Sequence, residues 1–186
     1  MHLPTCAARQ LIGAAALACA AALAPVAALA ATASAAAPTR AAAAATTPRC
    51  VTSGLVVWLD TQGNGAAGSV YYSLELTNLS GHACTLLGYP GVSAVNLGGR
   101  QRGGAASRDN SHKPHLVSLA SGATAKVVLR IVEAGNFPIS TCRPVIAAGL
   151  RVYPPNQTAA EVVPFPFSAC SRTGPVYLSV QAVRKA

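Results

Sequence analysis

The stretch Val70-Tyr71-Tyr72-Ser73-Leu74-Glu75-Leu76-Thr77 sets Val70, Tyr72, Leu74 and Leu76 at alternate positions, with Tyr71, Ser73, Glu75 and Thr77 between them. A period of two gives a strand one buried and one wet face, whereas a helix repeats at three and four. Working outward, Leu55–Leu59 predicts the preceding strand and Gly63-Asn64-Gly65 the loop of the hairpin that joins them. Further extended segments are expected at Val92–Leu97, His115–Leu119, Leu150–Tyr153 and Glu161–Phe165. Ala125, Val127, Leu129 and Ile131 alternate in another strand, and Val176, Leu178, Val180 and Ala182 alternate in the last. No amphipathic helical window of useful length occurs after Cys50.

Cys84-Thr85-Leu86-Leu87-Gly88-Tyr89-Pro90-Gly91-Val92 reads as a corner between two β-rich halves. Pro presets φ and Gly supplies positive φ, so Gly88 and Pro90-Gly91 interrupt the chain before Val92 restarts it. Short strands divided by Gly and Pro turns fit an all-β fold, an antiparallel two-layer β-sandwich of immunoglobulin-like type. A small barrel demands the same alternation and stays open as the alternative.

Residues 1–30 read as a signal peptide: Arg9, an apolar run from Leu11 through Ala24, and Ala28-Leu29-Ala30 as a small-x-small cleavage site. An uncleaved anchor is disfavoured because alanine is weakly hydrophobic and Pro25 interrupts the run. Lipid attachment at Cys19 is the minority alternative, since Ala16 stands where a lipoprotein box carries a large aliphatic residue. Residues 31–49, rich in Ala, Thr and Pro, read as a linker. The globular domain is expected over 50–186. The formal charge of +9 includes Arg9, so loss of the leader leaves 13 of the 14 basic residues against 5 acidic ones, a balance of +8. That balance favours anionic partners without naming one.

Setting aside Cys6 and Cys19, four cysteines remain: Cys50, Cys84, Cys142 and Cys170. An even number in an exported domain implies two disulfides. Of the three pairings, the hairpin favours Cys50–Cys84, because its open end brings Cys50 beside the chain just after Asn78. Cys142 and Cys170 flank two segments that pair across Pro154-Pro155, which favours Cys142–Cys170. Each bridge closes a loop of about thirty residues, worth about 3.5–4 kcal/mol in the chain-entropy model. Their spacing is not that of a zinc knuckle.

Leu76-Thr77-Asn78, Cys84-Thr85-Leu86, Gly88-Tyr89-Pro90-Gly91-Val92, the Leu119–Ala125 turn, Cys142-Arg143-Pro144 and Leu150-Arg151-Val152-Tyr153-Pro154-Pro155, with Cys50 and Cys170, resemble the exported bacterial domain of unknown function DUF4232. The resemblance runs from Cys50 to about Val183. It implies a secreted β-sandwich and carries over no catalytic residue, and the basic ending Arg184-Lys185 departs from it.

Asp109, Ser111 and His112 have the residue types of a hydrolase triad, yet they crowd into one loop without a Gly-x-Ser-x-Gly turn, so a solvated polar loop is the expectation. His112 and His115 have His-x-x-His spacing, but Pro114 argues against a helix and no nearby Glu adds a third ligand. The carboxylates Asp60, Glu75, Asp109, Glu133 and Glu161 are scattered without motif, and Gly98-Gly99 and Gly103-Gly104 lack the helix of a phosphate loop. The sequons at Asn78 and Asn156 signal surface turns at most. Trp58 and Tyr71 are expected across from one another in the hairpin, more readily as a core pair than as a binding platform.

The best candidate contact surface is Asn96–His115, long for a loop and carrying Arg100, Arg102, Arg108 and Lys113 with His112 and His115. The reading that results is a non-enzymatic, exported domain, secreted or associated with the cell envelope. Its expected partner is an anionic envelope polymer, a lipid surface or a protein. No cofactor, no nucleic acid and no membrane-integral part after leader cleavage are expected. The alternative is a small secreted hydrolase with residues drawn from different strands.

Overall fold

The computed structural model describes residues 46–186; the stretches expected to be a signal peptide (1–30, with Cys19) and nearly all of the expected linker (31–49) lie outside the described residues. The strands in chain order are β1 (Leu55–Ala66), β2 (Ser69–Asn78), β3 (Cys84–Leu86), β4 (Gly91–Val95), β5 (Gln101–Arg102), β6 (Ser107–Arg108), β7 (Val117–Leu119) and β8 (Thr124–Val132). A short helix α1 (Ile139–Cys142) precedes β9 (Pro144–Tyr153), β10 (Glu161–Cys170), β11 (Leu178–Val180) and β12 (Arg184–Lys185). The first sheet has the order β1-β2-β8-β11-β6, with β12 also on β8; the second has the order β10-β9-β4-β5; β3 and β7 form a small ribbon. Strand pairing is antiparallel except between β6 and β11.

Leu74 and Leu76 of β2 and Val127 and Leu129 of β8 bury their side chains in one cluster with Val92 and Ala94 of β4, Leu150 and Val152 of β9 and Val163 of β10. The alternation therefore serves a two-layer sandwich, with each sheet contributing one apolar face. Both sheets keep open edges, which distinguishes them from a closed barrel.

The hairpin turns later than its glycines suggest. β1 runs through Gly63-Asn64-Gly65 to Ala66, and the turn is Ala67-Gly68, with φ of 44° and 74°. Two successive positive φ values match the twist of a two-residue hairpin. Tertiary contacts hold this turn: the Gly68 carbonyl accepts hydrogen bonds from the Asn136 side-chain amide at 2.7 Å and the Glu133 N–H at 3.0 Å. The spare residues of β1 form a bulge between Asp60 and Asn64. Gly63 lies against Tyr72, where a Cβ would come within 2.6 Å of the ring. The register sets Trp58 opposite Glu75 and Tyr71 opposite Asn64, so the two aromatics share the outer face without pairing. Trp58 is 42% exposed and forms no part of the core.

Asn96–His115 is likewise not one loop. Arg100 sits at the tip of the β4–β5 hairpin, after which the chain crosses from the edge of the second sheet to the edge of the first, where β6 lies parallel to β11. Gly103, with φ of 64°, makes the crossover beneath Tyr177; a Cβ there would lie 2.6 Å from the Cys170 carbonyl oxygen. The Tyr177 hydroxyl donates to the Arg102 carbonyl at 2.7 Å, and burial raises the pKa of this phenol.

Both disulfides form as expected, Cys50–Cys84 and Cys142–Cys170, across 34 and 28 residues. Arg49 bridges Thr85 in parallel, and Cys170 stands opposite Pro144, so each cystine continues an existing strand contact. The basic ending is a strand rather than a tail: Arg184 and Lys185 pair with Lys126 and Ala125 of β8. Among the described residues, no helix is long and apolar enough to cross a membrane.

Candidate functional site

The corner and the Pro-Pro turn lie far apart in sequence but line one groove. β4 pairs with β9 so that Gly91 stands opposite Tyr153, which brings Tyr89 and Tyr153-Pro154 together. Gly88 adopts φ of 104°, a conformation suited to glycine, and its carbonyl accepts the Val183 N–H at 2.9 Å, fastening the corner to the C-terminal segment. The groove measures about 720 Å³ and is lined also by Arg108, Pro114, Asn156 and Gln157. The Arg108 guanidinium carbon stands 5.5 Å from the centre of the Tyr89 ring, within cation–π range. Asn156, at φ of 60°, donates its side-chain amide to the Leu87 carbonyl at 3.0 Å and so ties the turn to the corner.

A second hollow, of about 330 Å³, adjoins the groove across the segment after β6. His112, Lys113, His115 and Arg184 line it, with Ser111, Gln181, Ala182 and Val183. Asp109 anchors this segment: its N–H donates to the Val180 carbonyl, and its carboxylate accepts the Ser111 N–H at 2.9 Å and the Gln181 amide at 3.1 Å. Those bonds, the Ser111 N–H first, hold the carboxyl below its ordinary pKa. The Tyr89 hydroxyl donates to the His112 carbonyl at 3.4 Å, so the same ridge walls both depressions.

Residues 50–184 match the family model described as Domain of unknown function (DUF4232). The chain belongs to this family. Neither the curated proteins nor the solved structures contain a match to it. The DUF4232 match spans both disulfides, the groove and the basic hollow. The family description assigns no activity, so chemistry must be read from geometry.

In this DUF4232 domain the four cations expected to act together divide into two groups. Arg108 lines the groove and Lys113 the hollow. Arg100 is exposed at the hairpin tip, and Arg102 is half-buried on β5, its Nε buried without a hydrogen-bond partner among the described residues. Arg184 joins the basic set through strand pairing, which its position in an apparent tail concealed. Tyr89 and Tyr153 belong to quoted motifs, but only the β4–β9 register reveals that they share a wall.

Ser111 Oγ lies 3.1 Å from His112 Nδ1, while both Asp109 oxygens are engaged elsewhere, so Asp109 orients no imidazole and the three residues do not assemble the relay of a triad. Among the described residues, no three His, Cys, Asp or Glu side chains converge as a metal site. The sequon at Asn78 was expected to mark a surface turn, yet Asn78 is completely buried. Its amide is consumed by five internal hydrogen bonds, the physical reason this sequon carries no surface role in the folded domain.

Proposed function

We propose that this domain is a non-enzymatic binding module that works at or outside the cell envelope and takes an anionic polymer across the Tyr89 groove and the adjoining basic hollow. The observation that carries this reading is the convergence of Arg108, Lys113 and Arg184, with His112 and His115, on two contiguous depressions whose lining residues include no carboxylate. Arg108 over Tyr89 adds a flat aromatic and guanidinium surface suited to a ring or planar anion. Two disulfides suit an oxidising compartment, which supports action outside the cytoplasm. The nearest acid, Asp109, spends its oxygens on Ser111 and Gln181 and so fastens the ridge instead of facing the ligand.

Retention on an immobilised anionic wall polymer tests the reading. Wild type is expected to bind and to elute steeply with salt, because exposed charge contacts weaken as the Debye length falls from about 10 Å at 0.1 M to about 3 Å at 1 M. Replacing Arg108, Lys113 and Arg184 together by Gln should abolish retention, whereas Arg100→Gln should leave most of it. Equal retention of the triple variant and wild type, with both folded, rejects the assignment.

A further inference from the structure

We infer that β1 is a homodimerisation edge, on which a second copy of this chain adds its own β1 antiparallel to continue the first sheet. This inference is independent of the anionic surface. Asn78 exchanges backbone hydrogen bonds with Ala123 and Gly122 on the β8 side, so the neighbouring residues Thr77, Glu75 and Ser73 turn their backbone groups toward β1. Their partners Val56, Trp58 and Asp60 complete that ladder. Leu55, Val57 and Leu59 therefore turn theirs away from the sheet. The Leu55 N–H donates to Thr52, but the Leu55 carbonyl and both backbone groups of Val57 and Leu59 have no partner among the described residues.

The other edges are blunted in ways that the Leu55–Leu59 part of β1 is not; the bulge of β1 lies beyond it, between Asp60 and Asn64. β10 carries Pro164 and Pro166 with an irregular register between Pro164 and Phe167, and β5 and β6 are two residues long and end in Arg102 and Arg108. Proline, shortness and charge are the usual protections of an exposed edge. β1 spans 12 residues, contains no proline, and offers Leu55-Val56-Val57-Trp58-Leu59 without a charge.

That segment is self-complementary. A two-fold axis at Val57 sets Val57 against its symmetry mate and Leu55 against Leu59 of the second copy. The Val57 N–H and carbonyl then bond reciprocally, and each Leu59 N–H meets a Leu55 carbonyl; the Leu55 N–H stays with Thr52, so the Leu59 carbonyl is left to water. The same register puts Val56 opposite Trp58 of the second copy on the outer face. These two side chains are 46% and 42% exposed in the single chain, and the pairing gathers them into one apolar cluster. Because Arg108 lies on β6, at the opposite end of the sheet order, the dimer would present two copies of the basic surface.

Sedimentation velocity of the purified protein over about 1–100 μM tests this inference, a span chosen to bracket ordinary micromolar association. Wild type is expected to shift from monomer to dimer, with the Val57 and Leu59 amides gaining protection from hydrogen exchange as the dimer fills. Val57→Pro removes an outward donor while sparing the ladder to β2, and should give a monomer with unchanged circular dichroism. Should that variant misfold, the double variant Val56→Lys with Trp58→Lys sets like charges opposite one another on an exposed face and should likewise be monomeric. A wild type that stays monomeric throughout overturns the inference, as does a folded variant that still dimerises. Concentration-independent protection of the Val57 amide in a monomer also overturns it, assigning the edge to another part of the same chain.

Discussion

Replacing Asn78 by Ala should be among the most damaging single changes outside the disulfides. Its side-chain amide nitrogen donates to the carbonyls of His82 at 2.8 Å, Leu119 at 3.1 Å and Ala120 at 3.2 Å, and its Oδ1 accepts the Ser80 N–H at 3.0 Å and the Ser80 hydroxyl at 2.7 Å. One buried side chain thereby joins the end of β2, the connection to Cys84, the end of β7 and the turn before β8. A net hydrogen bond contributes about 1 kcal/mol, and a buried carbonyl left unpaired costs about 1–3 kcal/mol. The Leu119 contact is fully buried, while water can replace part of the His82 and Ala120 contacts, so the expected total is about 3–5 kcal/mol. Urea titration followed by circular dichroism should place the midpoint about 1–5 M below wild type, given slopes of about 1–3 kcal/mol/M. Ser80→Ala, which removes only the hydroxyl bonds, should cost about 1 kcal/mol. An Asn78→Ala protein within about 1 kcal/mol of wild type, or no weaker than Ser80→Ala, would refute the view that this amide organises the junction.

Three further outcomes are expected. Non-reduced peptide mapping should join Cys50 to Cys84 and Cys142 to Cys170, and replacing the second pair by Ala should lower stability by about 3.5 kcal/mol through loss of a 28-residue loop constraint, read by denaturant titration. Gly103→Ala should destabilise by about 1–3 kcal/mol, read as a lower thermal midpoint, because the backbone has φ of 64° and the added Cβ meets the Cys170 carbonyl and the Tyr177 ring. The Asp109 carboxyl has a folded pKa below its ordinary value, so its contribution is fully present above the unfolded pKa and is lost as pH falls through the folded one. Nuclear magnetic resonance of the Asp109 carboxyl carbon should find it titrating below the ordinary carboxylate range; a transition within or above that range would contradict the assignment.

The all-β class was legible in the sequence because alternation at Val70–Leu76 and Ala125–Ile131 is local: a period of two admits few structures other than a half-buried strand. The disulfide pairing was legible for a related reason: Cys142–Cys170 closes the β9–β10 hairpin, and Cys50–Cys84 joins the two segments just outside the β1–β2 hairpin, where Arg49 bridges Thr85. The hairpin turn was not, because Ala67-Gly68 is held by Glu133 and Asn136, distant in sequence, whereas Gly63-Asn64-Gly65 carries the stronger local signal. Nor was the candidate site. Charge density drew attention to Arg100, Arg102, Arg108 and Lys113 as one loop, but a crossover between sheets separates the first two from the groove and hollow, and strand pairing brings in Arg184 instead. Asn78 looked like a surface turn residue and is a buried junction, because its partners come from the far side of the chain. The sequence by itself determined the strands and their covalent staples, which depend on neighbours along the chain. Sheet order and register, which answer to the packing of two whole faces against each other, decided which tyrosines and cations share a wall.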